Sequence, residues 1–150
     1  MSNTEAKQPI FQIVGMYIKD CSLEAPHPIS HYKDKKWHPA ANVDMKSDYK
    51  NLEDNLYEVV LSGKLTVTLE DKTVFIVEMQ QAGTFVIDGL EQEKLDHVVS
   101  AYCPSIIFPY LRQNVSDIIT KAGFPPLYLS PVDFEAQYMA KKQQAKNSAK

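Results

Sequence analysis

The stretch that decides the fold is residues 56–81, which read LYEVVLSGKLTVTLEDKTVFIVEMQQ. Between residues 56 and 69, apolar side chains occupy nearly every second position and polar side chains lie between them, with Val60 as the exception. This alternation is typical of a β-strand that has one face in a core and the other in water. Glu70, Asp71 and Lys72 then supply a short polar turn, and residues 73–81 form a second, apolar-rich strand. The stretch therefore predicts an antiparallel β-hairpin.

Two further strands are predicted upstream of this hairpin. Residues 10–24 alternate along their length, but both of their faces begin apolar. One face carries Phe11, Ile13, Tyr17, Cys21 and Leu23, and the other carries Ile10, Val14, Met16 and Ile18. Pro26 and Pro28 then end the regular pattern, residues 37–45 predict a shorter strand, and residues 48–54 read as a charged connector.

The pattern downstream of the hairpin becomes helical. After Gly89 the apolar residues recur with a period near 3.6, interrupted at Pro104, and continue to a stop at Gly123. A last helix is predicted to start at Ser130, a capping residue, with Pro131 in the first helical position. Four strands followed by helices predict an α+β fold, in which C-terminal helices pack on one face of a four-stranded antiparallel sheet.

Length and charge bound the class of protein. The 150 residues suit a single globular domain, predicted over residues 1–140. Residues 141–150 hold four lysines and no acidic residue, so we predict a flexible basic tail there. The rest of the chain is acidic, which disfavours nucleic-acid binding. The sequence has no apolar run long enough to cross a bilayer and starts with polar residues, so we expect a cytoplasmic protein that does not insert into membranes.

Motifs for catalysis or cofactor binding are absent from the sequence. It contains neither a glycine-rich phosphate loop nor the Gly-x-Ser-x-Gly motif of hydrolases. Cys103 and His97 are six residues apart, which places them on different sides of a helix. We expect no catalytic residue, cofactor or metal. A zinc site is the minor alternative, and its ligands would come from Cys21, His27, His31 and His38.

The sheet has more apolar surface than the helices can cover. Helices on one face leave the other face free, yet the first and fourth strands carry apolar side chains on both faces. A soluble monomer rarely exposes a large apolar patch. The surplus therefore predicts contact with another subunit or with an apolar ligand.

Several motifs, taken with their spacing, resemble those of the SecB family of protein-export chaperones, and they cover residues 10–140. They are Phe11-Gln12-Ile13, Tyr17-x-Lys19-Asp20-x-Ser22-x-Glu24-Ala25-Pro26, Trp37-x-Pro39, Tyr57-Glu58-Val59-Val60-Leu61, Glu78-x-Gln80-Gln81-x-Gly83-x-Phe85, Ala101-Tyr102-Cys103-Pro104-x-Ile106-x-Phe108-Pro109-Tyr110, Gly123-Phe124-Pro125 and Pro131-Val132-x-Phe134.

The resemblance implies that the protein binds other proteins and does not catalyse a reaction. Members of the family are cytoplasmic homotetramers, built as dimers of dimers, that hold unfolded preproteins (clients) without ATP and deliver them to SecA, the ATPase motor of the Sec translocase. Exposed, adaptable apolar surface suits this role, because an unfolded client is held through many weak contacts. The alternative is a structural or adaptor homo-oligomer whose apolar face is filled permanently by its own copies.

The resemblance also implies roles for particular residues. A flat acidic surface for the basic, zinc-bearing tail of SecA would be formed by Asp20, Glu24, Ile76 and Glu78. The client groove would include Trp37, Val43 and Met45, and tetramer stability would depend on Phe75, Val77, Met79 and Gln81. For all of these residues, plain core packing is the competing interpretation. Two departures from the family pattern are the basic tail, where relatives tend to be acidic, and Gly15, which stands at a basic position.

Overall fold

The computed structural model describes residues 8–148, and its four strands form one antiparallel sheet. The strands are β1 (Ile10–Glu24), β2 (Ala40–Glu53), β3 (Leu56–Leu69) and β4 (Lys72–Asp88), in the spatial order β1-β4-β3-β2. The predicted α+β class and the four-stranded sheet are confirmed. β1 and β3 have the predicted bounds, whereas β2 continues through the predicted connector 48–54 and β4 continues past Gln81.

The turn between β3 and β4 lies where the sequence predicts it but is one residue shorter, because Lys72 is already paired with Leu69 in β4. Glu70 and Asp71 have φ angles of 54° and 63°, in the left-handed region that two-residue hairpin turns require. The turn between β2 and β3 is closed by Asn51, whose side-chain amide donates to the carbonyl oxygens of Asp54 and Leu56 at 3.0 and 3.1 Å. These two tight turns hold three consecutive strands side by side.

Helical structure follows almost without interruption from residue 92 to residue 121. It comprises α1 (Gln92–His97), a π-helical segment (Val98–Tyr102) and α2 (Cys103–Lys121). Contrary to the prediction, Pro104 does not break the helical path; it lies directly after the π-helical segment, whose last hydrogen bond runs from Cys103 N–H to Val98 O, so the change of helix type coincides with the proline. The predicted stop at Gly123 is confirmed. Its φ of 95° and the hydrogen bond from Phe124 N to Ile119 O close the helix.

The last helix starts later than predicted. α3 spans Phe134–Ser148, and the Asp133 carboxylate accepts a hydrogen bond from the backbone N–H of Ala136 at 2.9 Å. Asp133 therefore caps the helix in place of Ser130, since it too is a good capping residue and stands three positions before the amide it binds. Residues 141–148 continue α3 rather than forming an irregular tail, and Lys150 lies outside the described residues. The division at residue 140 stays a prediction.

The core lies between α2 and the two central strands. Side chains of β3 and β4 that point toward α2 are fully buried, as are those of α2 that point toward the sheet. The largest of them are Leu61, Phe75, Met79, Phe85, Ile107, Leu111 and Ile119. We call this face of the sheet the helix side and the opposite face the open side.

Two bulges change the faces of β1. Its register against β4 shifts between Ile13 and Gly15 and again between Ile18 and Asp20. Because each shift inserts one unpaired residue, the alternation inverts at that point. Ile18 therefore pairs with Gln81 on the helix side, and Tyr17 lies on the open side. The prediction that alternate residues keep the same face along the whole of residues 10–24 is therefore wrong.

Candidate interaction surfaces

β1 is an edge strand with a large exposed apolar surface. Six of its side chains are between 36% and 57% exposed, and they are Ile10, Phe11, Ile13, Val14, Tyr17 and Ile18. In the described part of the chain its outer edge pairs with no strand, and α2 packs mainly over β3 and β4. Tyr102, itself more than half exposed, extends this surface by an edge contact with Phe11. The predicted apolar surplus is therefore found at an edge of the sheet.

The open side is more polar than predicted. Charged side chains from all four strands lie on it, among them Asp20, Lys46, Lys64 and Glu78. The bulges in β1 explain much of the difference, because they place Ile18 on the helix side. An apolar patch that covers the whole open side is therefore not present among the described residues.

The four residues predicted to contact SecA lie together on the open side. β1 and β4 are neighbours, and Glu24 is paired with Ile76 while Ser22 is paired with Glu78. Asp20 follows on the same face, opposite Gln80. The structure thus brings Asp20, Glu24, Ile76 and Glu78 onto two adjacent strands.

Lys64 is a neighbour of this acidic group that sequence reasoning missed. Its ammonium nitrogen lies 3.7 Å from the Glu78 carboxylate, and both side chains are about half exposed. Residues opposite each other on paired strands lie close enough for such a contact. A basic partner that docks here must therefore compete with Lys64 for Glu78.

A second open-side cluster surrounds Glu58, which is only 8% exposed. The Tyr17 hydroxyl donates to one of its carboxylate oxygens and Lys19 donates to the other at 2.9 Å. The Tyr17 hydrogen bond, outweighing the effect of burial, lowers the pKa of Glu58, and Lys19 and Lys50 lower it further. The pKa of Tyr17 is raised to about 12, chiefly by burial and then by Glu58. Sequence gave no signal for this cluster, because Tyr17 and Glu58 are 41 positions apart.

The cluster holds the bulged part of β1 in place. Lys19 is the unpaired residue of the second bulge and Tyr17 lies two positions before it, and both reach across β4 to a residue of β3. A largely buried carboxylate must have such partners, since an unpaired one is costly. The shape of the exposed edge therefore depends on Glu58.

The three predicted client residues do not form one cluster. Val43, 42% exposed, and Met45, partly buried, lie two positions apart on the helix side of β2. Trp37 precedes β2, so its predicted place on that strand is wrong. Its ring stacks on Phe124 with centroids 6.1 Å apart and meets Tyr32 edge-on.

Trp37 therefore belongs to an aromatic cluster near the start of β2. A cavity of about 380 Å³ opens beside Tyr32, Trp37 and Phe124. The Tyr32 hydroxyl is buried and has no hydrogen-bond partner among residues 8–148. An unsatisfied buried hydroxyl beside a cavity leaves a polar contact that a bound molecule can supply.

A groove of about 430 Å³ separates β2 from α3. Met45 and Tyr49 line one side of it, Phe134 and Tyr138 line the other, and Asp96 lies between them. Burial and the charge of Asp96 raise the pKa of Tyr49. Sequence reasoning missed Tyr49, because it placed residue 49 in a connector rather than on a strand.

The four residues predicted to affect assembly are buried within a single chain. Phe75, Val77, Met79 and Gln81 lie on the helix side of β4, and none is more than 2% exposed. These side chains reach no surface of the described chain, so any effect on assembly would pass through the position of β4 and its neighbour β1. Their role in tetramer stability stays a prediction.

The residues considered for metal or thiol chemistry are dispersed. Among residues 8–148, no group of three potential ligands is placed to hold a metal ion. His27 and His31 stack at 4.6 Å, while Cys21 is exposed on β1. Burial raises the pKa of Cys103 to about 12, so its thiol is neutral, and His97 contacts Glu135 instead.

None of the helices within residues 8–148 combines the length and the apolar character that a transmembrane helix requires.

Comparison with known proteins gives matches over nearly the whole chain. The model of a family described as preprotein translocase subunit SecB matches residues 4–145. Protein-export protein SecB of Nitrosospira multiformis is 43% identical over 145 residues, 97% of this chain and 91% of that protein. The protein of the same name from Hahella chejuensis is 43% identical over 150 residues, 98% and 94% of the two chains.

A solved structure supports the fold. It is a SecB-like chaperone from Mycobacterium tuberculosis in complex with a ChAD peptide from an antitoxin. Its TM-score is 0.66 at 17% sequence identity, and the match covers 81% of this chain and 90% of the other. At that identity the likeness concerns the fold alone.

Proposed function

The chain belongs to the SecB family of export chaperones, and we propose that it holds preproteins unfolded without ATP in the cytoplasm and delivers them to the SecA motor of the Sec translocase. The observation that carries the proposal is the match, over almost the entire chain, to relatives named as export proteins. The family consists of chaperones rather than enzymes, and the alternative of a purely structural oligomer is not favoured.

Client binding is supported by the surfaces along β2. Val43 and Met45 present apolar area at an edge of the sheet, and Trp37 continues it into the aromatic cluster. Methionine and aromatic side chains suit clients of varied sequence, because they offer large contacts that repack at low cost. Several such sites on one particle would bind a single extended chain by multivalency.

Assembly into a homotetramer, a dimer of dimers, is supported by β1. A long edge strand with apolar side chains on both faces tends to pair with another strand. A second copy of β1 would satisfy the unpaired backbone groups and cover Val14 and Ile18 at once. We therefore assign the direct subunit contact to β1 and a supporting role to the buried residues of β4.

Docking of SecA is supported by the acidic group on the open side. Asp20, Glu24 and Glu78 present three carboxylates on two adjacent strands, with the small apolar surface of Ile76 among them. Such a surface attracts a basic partner and orients it on approach. It lies on the opposite face of the sheet from Val43 and Met45, so SecA and a client would be able to bind at the same time.

The experiment that tests the function is suppression of aggregation. A denatured model preprotein is diluted into buffer with and without the chain, in the absence of nucleotide, while light scattering follows aggregation and the mass of the complex. Delayed aggregation and a complex heavier than four chains are expected. A tetramer that leaves the aggregation rate of several preproteins unchanged would instead indicate the structural oligomer.

A further inference from the structure

A positive charge lies next to the acidic group on the open side. Lys19 is the unpaired residue of the second bulge in β1, and Asp20 follows it in the chain. The bulge leaves both side chains on the open side, where Lys19 contacts Glu58 and Asp20 lies opposite Gln80. A lysine side chain is long and flexible. Without a fixed partner, the Lys19 ammonium group would therefore be able to approach the Asp20 carboxylate.

The register of the sheet places Glu58 away from the acidic group. Asp20 is level with Ser62 of β3, since both lie beside the same residue of β4. From this level the acidic group continues along the strands toward Glu78. Glu58 lies in the opposite direction, about 13 Å along β3 from Ser62 by the rise of a strand. The contact with Glu58 therefore directs Lys19 away from the other carboxylates.

Glu58 is a fixed counter-ion for Lys19. The Lys19 ammonium nitrogen is 2.9 Å from Glu58 Oε1, and the Glu58 side chain is only 10% exposed. The hydrogen bond from Tyr17 lowers the pKa of Glu58, so its carboxylate is ionised at neutral pH. Lys50 lies 3.9 Å from the same oxygen, so Lys19 is the nearer of the two cations. A largely buried carboxylate is screened less by water and salt than an exposed one, which favours Glu58 over Asp20 as the partner of Lys19.

We infer that Glu58 keeps Lys19 away from the acidic group and thereby sets how strongly this surface attracts a basic partner. Glu58 and Lys19 are positioning residues, which act on the charge of the docking surface rather than on its shape. The partner is SecA, so this inference rests on the proposed function. In the absence of Glu58, Lys19 would become a counter-ion of Asp20, and a basic partner would have to displace it, as it must displace Lys64 from Glu78.

A purely structural role of Glu58 predicts a different result. If Glu58 only held the bulge in shape, loss of Glu58 and loss of Lys19 would disturb Asp20 in the same way, because each removes the same ion pair. If Glu58 acts through charge, the two losses have different effects on a basic partner. Loss of Glu58 releases a cation beside the acidic group, whereas loss of Lys19 removes that cation.

Calorimetry with purified SecA separates these two roles. Glu58→Gln should weaken SecA binding roughly two- to five-fold, the range expected for a partly exposed ion pair. Lys19→Gln should bind SecA at least as tightly as the original chain. The double variant Glu58→Gln, Lys19→Gln should return toward the original affinity, although it also lacks the ion pair. Circular dichroism and the native mass show whether each variant is folded and assembled.

Two further variants are matched controls. Tyr17→Phe removes a contact of Glu58 without a change of charge, so it should keep the SecA affinity even though it lowers stability. Asp48→Asn removes a carboxylate that is exposed on the same face and has no ion pair among residues 8–148. It makes the same charge change as Glu58→Gln without releasing Lys19, so it should weaken SecA binding less.

Chemical labelling tests the position of Lys19 without SecA. The folded chain is acetylated mildly with acetic anhydride, and mass spectrometry gives the rate at each lysine. Lys19 should react roughly two- to five-fold faster in Glu58→Gln than in the original chain, because its ion pair is lost. The rate at Lys46, which is exposed on the same face, should be unchanged.

Three results would overturn the inference. One is an unchanged acetylation rate of Lys19 in Glu58→Gln. The others are a loss of SecA affinity in Lys19→Gln, or in Tyr17→Phe, as large as that in Glu58→Gln, since either would show that the cluster acts through its shape. Failure of the original chain to bind SecA would instead contradict the proposed docking function, while acetylation would still show whether Glu58 holds Lys19.

Discussion

Asn114 donates a hydrogen bond to Gln81, with Nδ2 of the first 2.7 Å from Oε1 of the second, between α2 and the helix side of β4. The other end of the Gln81 amide donates to the carbonyl oxygen of Tyr17 on β1 at 3.2 Å. One buried side chain thus connects the covering helix, a central strand and the exposed edge strand. This connection offers a physical route by which a residue in the core of one chain could affect the contact between chains.

We predict that Gln81→Leu destabilises the fold and loosens β1. The substitution leaves the part-buried Asn114 amide and the Tyr17 carbonyl without this partner, which costs about 1 kcal/mol for each hydrogen bond lost. Urea unfolding measures the loss, and light scattering shows whether the assembly dissociates at a higher protein concentration. Gln80→Leu is the control, because the neighbouring side chain is exposed on the open side. Equal stability of the two variants would contradict the role given to Gln81.

The alternation of apolar and polar side chains along the sequence predicted those parts of the fold that depend on one strand alone. β3 was predictable to the residue, because its side chains alternate between a buried face and a polar one without a bulge of its own. β2 was shortened to residues 37–45, since an edge strand with charged residues such as Asp48 and Lys50 on its open side resembles a connector. Propensity favours Ser130 and Asp133 equally as caps, so the start of α3 could not be decided from sequence.

The parts of the site that were missed depend on contacts between distant residues. The faces of β1 are set by two bulges, and a bulge is defined by its pairing with β4 rather than by its own sequence. The role of Glu58 depends on its hydrogen bond with Tyr17, which is distant in sequence. The groove beside Met45 likewise exists only because α3, some 90 positions later in the chain, forms its other side. The family resemblance identified the residues of the acidic group, but it did not identify their neighbour Lys64. That contact follows from the strand register, which places Lys64 opposite Glu78.

We predict that the Glu58 cluster makes stability depend on pH. Because the folded chain lowers the pKa of Glu58, the resulting stability is present above the ordinary pKa of glutamate and is lost as the pH falls through the lowered value. Glu58→Gln and Tyr17→Phe should therefore differ most from the original chain near neutral pH and least in acid. Urea unfolding at several pH values measures this difference.

The matched control for the Glu58 prediction is Tyr128→Phe, because that tyrosine is 70% exposed. Its stability should follow the original chain at every pH. Parallel pH profiles for Glu58→Gln and the original chain would show that the cluster does not contribute through ionisation.

We predict that Glu78→Lys weakens binding to SecA by about tenfold, which corresponds to roughly 1.4 kcal/mol. The change removes one carboxylate from the acidic group and places a second ammonium beside Lys64, so a basic partner would be repelled. Calorimetry with purified SecA gives the affinity, and suppression of preprotein aggregation should be unchanged. Glu53→Lys makes the same charge change at the end of β2 and should bind SecA normally. Equal affinities for the two variants would remove the docking assignment.

We predict that two lysine substitutions separate assembly from client holding. Val14 is the most exposed of the apolar side chains on β1, and Val43 is exposed on β2 at the opposite edge of the sheet. A charge on β1 prevents edge-to-edge pairing, so Val14→Lys should lower the native mass measured by light scattering below four chains. Val43→Lys should keep the native mass and weaken suppression of preprotein aggregation severalfold, because it places a charge in the apolar client surface. Both side chains are exposed, so circular dichroism should show a folded chain in each case. If Val14→Lys remained a tetramer and Val43→Lys dissociated instead, the assignments of the two edges would have to be exchanged.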